Sequence, residues 1–185
     1  MKTITLVSNS PGEVATFVRP VAAELKSRHP EWRVELALVP CPYATGAEAE
    51  VVRSWALLDD VWTPAQTTWN WVRGRAHAPG AGFFLGGDPW HAPLLKRRFG
   101  VPCLAYFPEP SSWEETRWLG GFERVLVGYR EGRVRDERFS YPGDLRVDAV
   151  TERLKSQAPP TRASGPTLAV FPGSRWLHLK ASMGP

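Results

Sequence analysis

Apolar residues along this chain fall into short runs separated by longer stretches of mixed character. Residues 3–8 form the first run and lead into the breakers Pro11 and Gly12; the length and composition predict a buried strand. Beyond it, Val14, Phe17, Val18, Val21, Ala22 and Leu25 recur at the spacing of one helix face. Ser10 and Glu13, three apart with Pro11 between them, have the form of a capping box at the start of that helix. Pro20 lies inside the pattern and predicts a kink or a delayed start, because it brings no N–H and crowds the preceding turn. Further strands are predicted at 32–39, 60–63, 81–85, 101–107 and 124–128. Helices are predicted at 47–55, 64–75 and 93–99, the last closed by Gly100. Residues 130–138 read as a polar helix or loop, 140–148 as a short strand and turn, and 149–155 as a helix.

Strands alternating with helices in this way predict an α/β protein with a doubly wound, mostly parallel, Rossmann-like sheet. Residues 156–166 carry Ser, Pro and Gly and no apolar period, so they read as a linker. The apolar run 167–171, followed by Pro172, Gly173, Ser174 and Arg175, reads as the opening of a second α/β domain that stops early. The expected organisation is one domain at 1–155, a linker at 156–166 and a truncated second domain at 167–185.

Composition narrows the function classes. With 43% hydrophobic and 23% charged residues in 185, the chain is globular rather than disordered. A net charge of +4 favours anionic partners. No basic run exceeds Lys96, Arg97 and Arg98, which argues against a nucleic-acid binder. The two cysteines, Cys41 and Cys103, have no metal-ligand spacing and are expected to be reduced thiols in a cytoplasmic protein. No apolar run reaches the roughly 20 residues of a membrane span, and the N-terminus enters a strand directly. Trp62, Trp69 and Trp71, followed by Arg73 and Arg75, form an amphipathic stretch that suits either a peripheral membrane contact or a buried helix face.

The turns after the strands hold the candidate chemistry. Gly86, Gly87 and Asp88 close one strand, and Asp88 can cap the next helix, with His91 three residues on as a surface or tuning group. Glu13 divides between capping and a ligand contact. Gly173, Ser174 and Arg175 suit phosphate oxygens: a glycine for close approach, a hydroxyl and a planar five-donor cation. Glu109, Ser111 and Glu114 lie on a loop after a strand and read as solvated; Asp144 and Asp148 read as turn and cap residues. No Gly-x-Gly-x-x-Gly follows the first strand, which argues against a dinucleotide-dependent dehydrogenase.

Four of these stretches, in order, resemble the lipid-A-disaccharide synthase family of GT-B glycosyltransferases. They are residues 8–13 with Gly12 and Glu13, residues 86–88, residues 141–148, and the strand and turn at 168–175. The resemblance implies an inverting transfer from a nucleotide sugar such as UDP-GlcNAc to a sugar acceptor, free or lipid-linked, with no metal and no cofactor. It implies that the N-terminal domain holds the acceptor through residues such as Gly12, Glu13 and His91. Asp88 would be the general base, and Gly173, Ser174 and Arg175 would hold the donor diphosphate. The family's Asp-Ala-Pro-Asp segment is here Asp88, Pro89, Trp90 and His91. One acidic group is therefore missing, and the acceptor is expected to differ. The chain alone is expected to be inactive as a transferase. Rival readings are a nucleotide-sugar epimerase of the same architecture and a non-enzymatic Rossmann-like binding module.

Overall fold

A computed structural model describes residues 2–74, 80–108, 118–128 and 137–156. Its strands are β1 (Thr3–Ser8), β2 (Arg33–Leu38), β3 (Asp60–Trp62), β4 (Ala81–Phe84), β5 (Cys103–Phe107), β6 (Arg124–Val127) and β7 (Phe139–Ser140). All pair in parallel in the order β3-β2-β1-β4-β5-β6-β7. The helices are α1 (Pro11–Glu13), a wider π turn (Val14–Val18), α2 (Arg19–Arg28), α3 (Glu48–Ser54), α4 (Pro64–Arg73), α5 (His91–Phe99) and α6 (Leu145–Ser156), with a 3₁₀ turn at Leu119–Gly121.

The sheet is buried on both faces, as parallel sheets require. Successive strand residues point to opposite sides. Thus Leu6, Leu36 and Leu38 join Val14, Phe17, Val18, Ala22, Ala49 and Val52 in one core. Their neighbours Val7, Ala37 and Val39 join Trp71, Ala92, Leu95, Phe107 and Phe122 in the other. The first layer is covered by the π turn, α2 and α3, and the second by α4 and α5. The sheet is therefore doubly wound, as its alternating pattern predicted.

Local chemistry sets the element ends. Thr63 and Gln66 make a full capping box at the start of α4, and Gly74 ends that helix in the left-handed region at φ 65°. Gly100 does the same for α5 at φ 68°. The proline inside the first helix acts as expected, with a detail the pattern did not contain. Arg19 donates its N–H to the Val14 carbonyl, five residues back, so the helix is widened in the turn before Pro20. That widening relieves the clash a proline ring makes with a regular helical turn.

One expectation needs correction. Residues 145–148 belong to α6 rather than to a strand and turn, because Asp144 accepts the Arg146 N–H at 2.9 Å and starts the helix four residues early. Of the two readings of the tryptophan stretch, the buried face fits Trp62 and Trp71, which are core residues 8% and 5% exposed, while Trp69 faces outward with Arg73 stacked 3.5 Å from its ring centre. Arg75, residues 130–136, and 157–185 with most of the expected linker and all of the expected second domain lie outside the described residues. Among the described residues, no helix is long and apolar enough to cross a membrane. Both cysteines are free thiols, and burial pushes Cys103 up to about 11.

Candidate functional site

From β1 the chain moves outward through β2 and β3, then crosses back to place β4 on the other side of β1. The loop after β1 feeds a helix on one face of the sheet, and the loop after β4 feeds α5 on the other. Where windings diverge in this way, the carboxyl ends of the two strands leave a crevice, the common ligand position in open α/β sheets. Here it has a volume of about 440 Å³ and is lined by the 9–13 turn, Thr16, Phe17, residues 41–43, Gly87 and Arg146.

The turn after β1 is held by its own capping box. The Ser10 N–H donates to Glu13 Oε2 and the Glu13 N–H donates to Ser10 Oγ, each at 3.4 Å. Thr16 Oγ1 donates to the Gly12 carbonyl at 2.7 Å and keeps the first turn closed. The Glu13 carboxylate thus caps the helix and also lies beside the crevice. It rests directly over Gly86, where any Cβ would fall on it. Gly87, at φ +98°, packs against Asn9 and Val39 so closely that a Cβ would stand 3.0–3.1 Å from their side chains. Two loops far apart in sequence therefore interlock at glycine positions that admit no side chain.

Asp88 follows Gly87, is exposed, and is not itself among the residues that line the crevice. Its Oδ1 accepts the Trp90 N–H at 3.3 Å. The cap position of α5 is Trp90 rather than Asp88, so the carboxylate braces the loop ahead of the helix. The Asp88 carbonyl accepts the His91 backbone N–H at 3.2 Å and the ring Nδ1–H at 2.9 Å. His91 is 7% exposed, with its ring stacked against Trp90 at 4.1 Å. Burial holds its pKa below the ordinary histidine value, against the opposing pull of Asp88. The ring lines a separate cavity rather than the crevice. Gly12, Glu13, Gly86 and Gly87 are therefore brought together with Asp88 beside them, and His91 is turned away. Gly173, Ser174 and Arg175, and likewise Glu109, Ser111 and Glu114, lie outside the described residues.

Sequence reasoning missed Arg146. It rises from the first turn of α6 to the crevice wall, gripped by Asp144: Nε lies 3.0 Å from both carboxylate oxygens and Nη2 2.8 Å from Oδ2. Tyr106, buried in β5, donates its hydroxyl to Asp144 Oδ1 at 3.4 Å and accepts the Leu145 N–H at 3.0 Å. Burial pushes this phenol up to about 12, so it serves as a neutral hydrogen-bonding post. The available signal was the Asp144, Leu145, Arg146 order, which fits a helix start with an Asp cap. Among the described residues, no three His, Cys, Asp or Glu side chains gather as metal ligands would. No family model matches the chain, and no curated protein matches it.

Proposed function

We propose that the crevice is the acceptor site of an inverting, nucleotide-sugar-dependent glycosyltransferase. The observation that supports this most is the interlock of the two turns that carry the resemblance, residues 8–13 and 86–88, at the point where the sheet reverses its winding. A crevice between diverging loops admits a polar ligand from solvent. Glu13 offers a carboxylate to sugar hydroxyls, and Arg146 offers a fixed guanidinium to an anionic substituent such as a phosphate. Asp88, exposed and next in the chain to Gly87 of the crevice wall, takes the proton from the acceptor hydroxyl as its oxygen attacks the anomeric carbon. The bond from that carbon to the donor diphosphate breaks, and the diphosphate leaves from the opposite face. The turn at Gly173, Ser174 and Arg175 supplies the cation and N–H groups for the charge that develops there.

The test is a titration of glucosamine 1-phosphate into ¹⁵N-labelled chain. Expected are amide shifts confined to residues 9–13, 86–88 and 145–147. Shifts elsewhere, or none at millimolar ligand, would remove the reading. Asp88→Asn should leave glucosamine 1-phosphate binding in the same titration unchanged, because the carboxylate is needed to take the proton and not to hold the sugar.

A further inference from the structure

The helices α4 and α5 turn large apolar side chains toward solvent as well as toward the core. Trp69 and Val72 on α4 are 52% and 72% exposed, while Trp90, just before α5, and Leu94 within it are 39% and 38% exposed. Val72, Trp90 and Leu94 border the same cavity of about 310 Å³, together with His91 and Arg98. Trp69 precedes Val72 by three residues and so lies on the same side of α4. Arginines flank the group. Arg73 stacks on the Trp69 ring, Arg97 follows Leu94 by three residues and is exposed, and Arg98 donates from Nε to the Trp71 carbonyl at 2.9 Å. Neither helix carries an Asp or Glu. Lys96 is paired with Glu123, and Asp88 stands ahead of α5 in the loop before Trp90.

We propose that this face of α4 and α5 docks on the surface of an anionic lipid bilayer. Exposed apolar residues are ordinary when scattered singly, but a contiguous group rimmed by polar residues marks an interaction site. The single sign of charge selects the partner: Arg73, Arg97 and Arg98 meet acidic headgroups, while Val72 and Leu94 enter the acyl boundary beneath them. Trp69 and Trp90 join an apolar body to an indole N–H, which suits the level between the two. A second copy of the same face would set arginine against arginine. The helix α6 supplies the contrast. Its Val147, Val150 and Leu154 are also exposed, yet Asp148 and Glu152 lie among its basic residues, so it presents no single sign of charge. The surface does not rest on the transferase reading, which gives none of these residues a role.

The whole chain is sedimented with vesicles of equal parts phosphatidylglycerol and phosphatidylcholine, and with vesicles of phosphatidylcholine alone. Partition onto the mixed vesicles should be at least about tenfold stronger, since each arginine near such a surface contributes about fivefold. Added salt should reverse most of that difference. Trp69→Ser combined with Val72→Ser should lower partition onto the mixed vesicles about tenfold, and Arg73→Gln and Arg97→Gln about fivefold each. If the paired serine change disturbs folding, the two arginine variants carry the test. Val147→Ser combined with Leu154→Ser, the matching change on α6, should leave partition as it was. Equal partition onto the two kinds of vesicle would overturn the proposal, as would a loss that follows the α6 substitutions instead. No partition onto either kind would also overturn it and leave the face to a protein partner.

Discussion

Gly87 shows how a single position holds the crevice together. Its φ of +98° is a conformation that side-chain-bearing residues rarely adopt, and a Cβ there would press on Asn9 and Val39. Gly87→Ala should therefore destabilise the fold by about 1–3 kcal/mol, read as a lower urea midpoint. Glu13 separates a structural role from a binding role. A capping box accepts Gln as well as Glu at its third position, so Glu13→Gln should change the urea midpoint by less than about 0.5 kcal/mol. The same substitution removes the charge beside Gly86 and should weaken sugar-phosphate binding in the NMR titration. An equal loss in both measurements would make Glu13 a helix cap and nothing more.

Among the elements, α6 depends most on a single distant group. It follows β7 by only four residues and leaves Val147, Val150 and Leu154 mostly exposed. Its start is tied to the sheet by the Tyr106 hydroxyl, which meets both the Leu145 N–H and the Asp144 carboxylate. Tyr106→Phe should cost about 1 kcal/mol and speed hydrogen exchange at Leu145 more than at the amides of α2. The same change should loosen Arg146, since Asp144 would lose one of the contacts that hold it. The widened turn before Pro20 has the opposite character. It is a local answer to a local residue, and it leaves Thr16 and Phe17 on the crevice wall.

For the molecule as a whole, the titratable groups set a stability optimum. Burial pushes the carboxyls of Glu48, Asp59 and Glu123 up, but hydrogen bonds outweigh it and hold all three below their ordinary range. The donors are Thr45 and Gly46 for Glu48, Lys26 and the Val34 N–H for Asp59, and Lys96 and the Cys103 N–H for Glu123. Such groups stabilise the fold above their unfolded pKa of about 4 and lose that effect as pH falls through the folded value. His91, held low by burial, acts earlier: below about 6.5 the unfolded chain takes a proton that the folded one refuses. On the alkaline side, the Cys103 contribution is complete below about 8.5 and is lost as pH rises toward its folded value of about 11. Urea midpoints should therefore peak near neutrality, and His91→Asn should flatten the decline between about pH 6.5 and 5 without moving the one below it.

Much of this architecture was legible in the chain because it depends on neighbours in sequence. The run 3–8 became β1, the 10–13 box closed the first turn, and Gly74 and Gly100 ended their helices; each needs only a few adjacent residues to be satisfied. Alternating strands and helices likewise determined a doubly wound sheet, since a parallel strand cannot leave either face bare. The same logic failed at 145–148, where a cap bonded to a distant tyrosine decided the element. Sequence could offer Glu13, Gly86 and Asp88 as separate candidates, and it could not say which would meet. That depended on strand order, which brings β4 beside β1 and presses Gly86 and Gly87 onto the 9–13 turn. Long-range packing also turned His91 away from that crevice and toward Trp71, and carried Arg146 in. Local sequence sets which conformations a segment can adopt, but the burial and partners of a side chain come from segments tens of residues away.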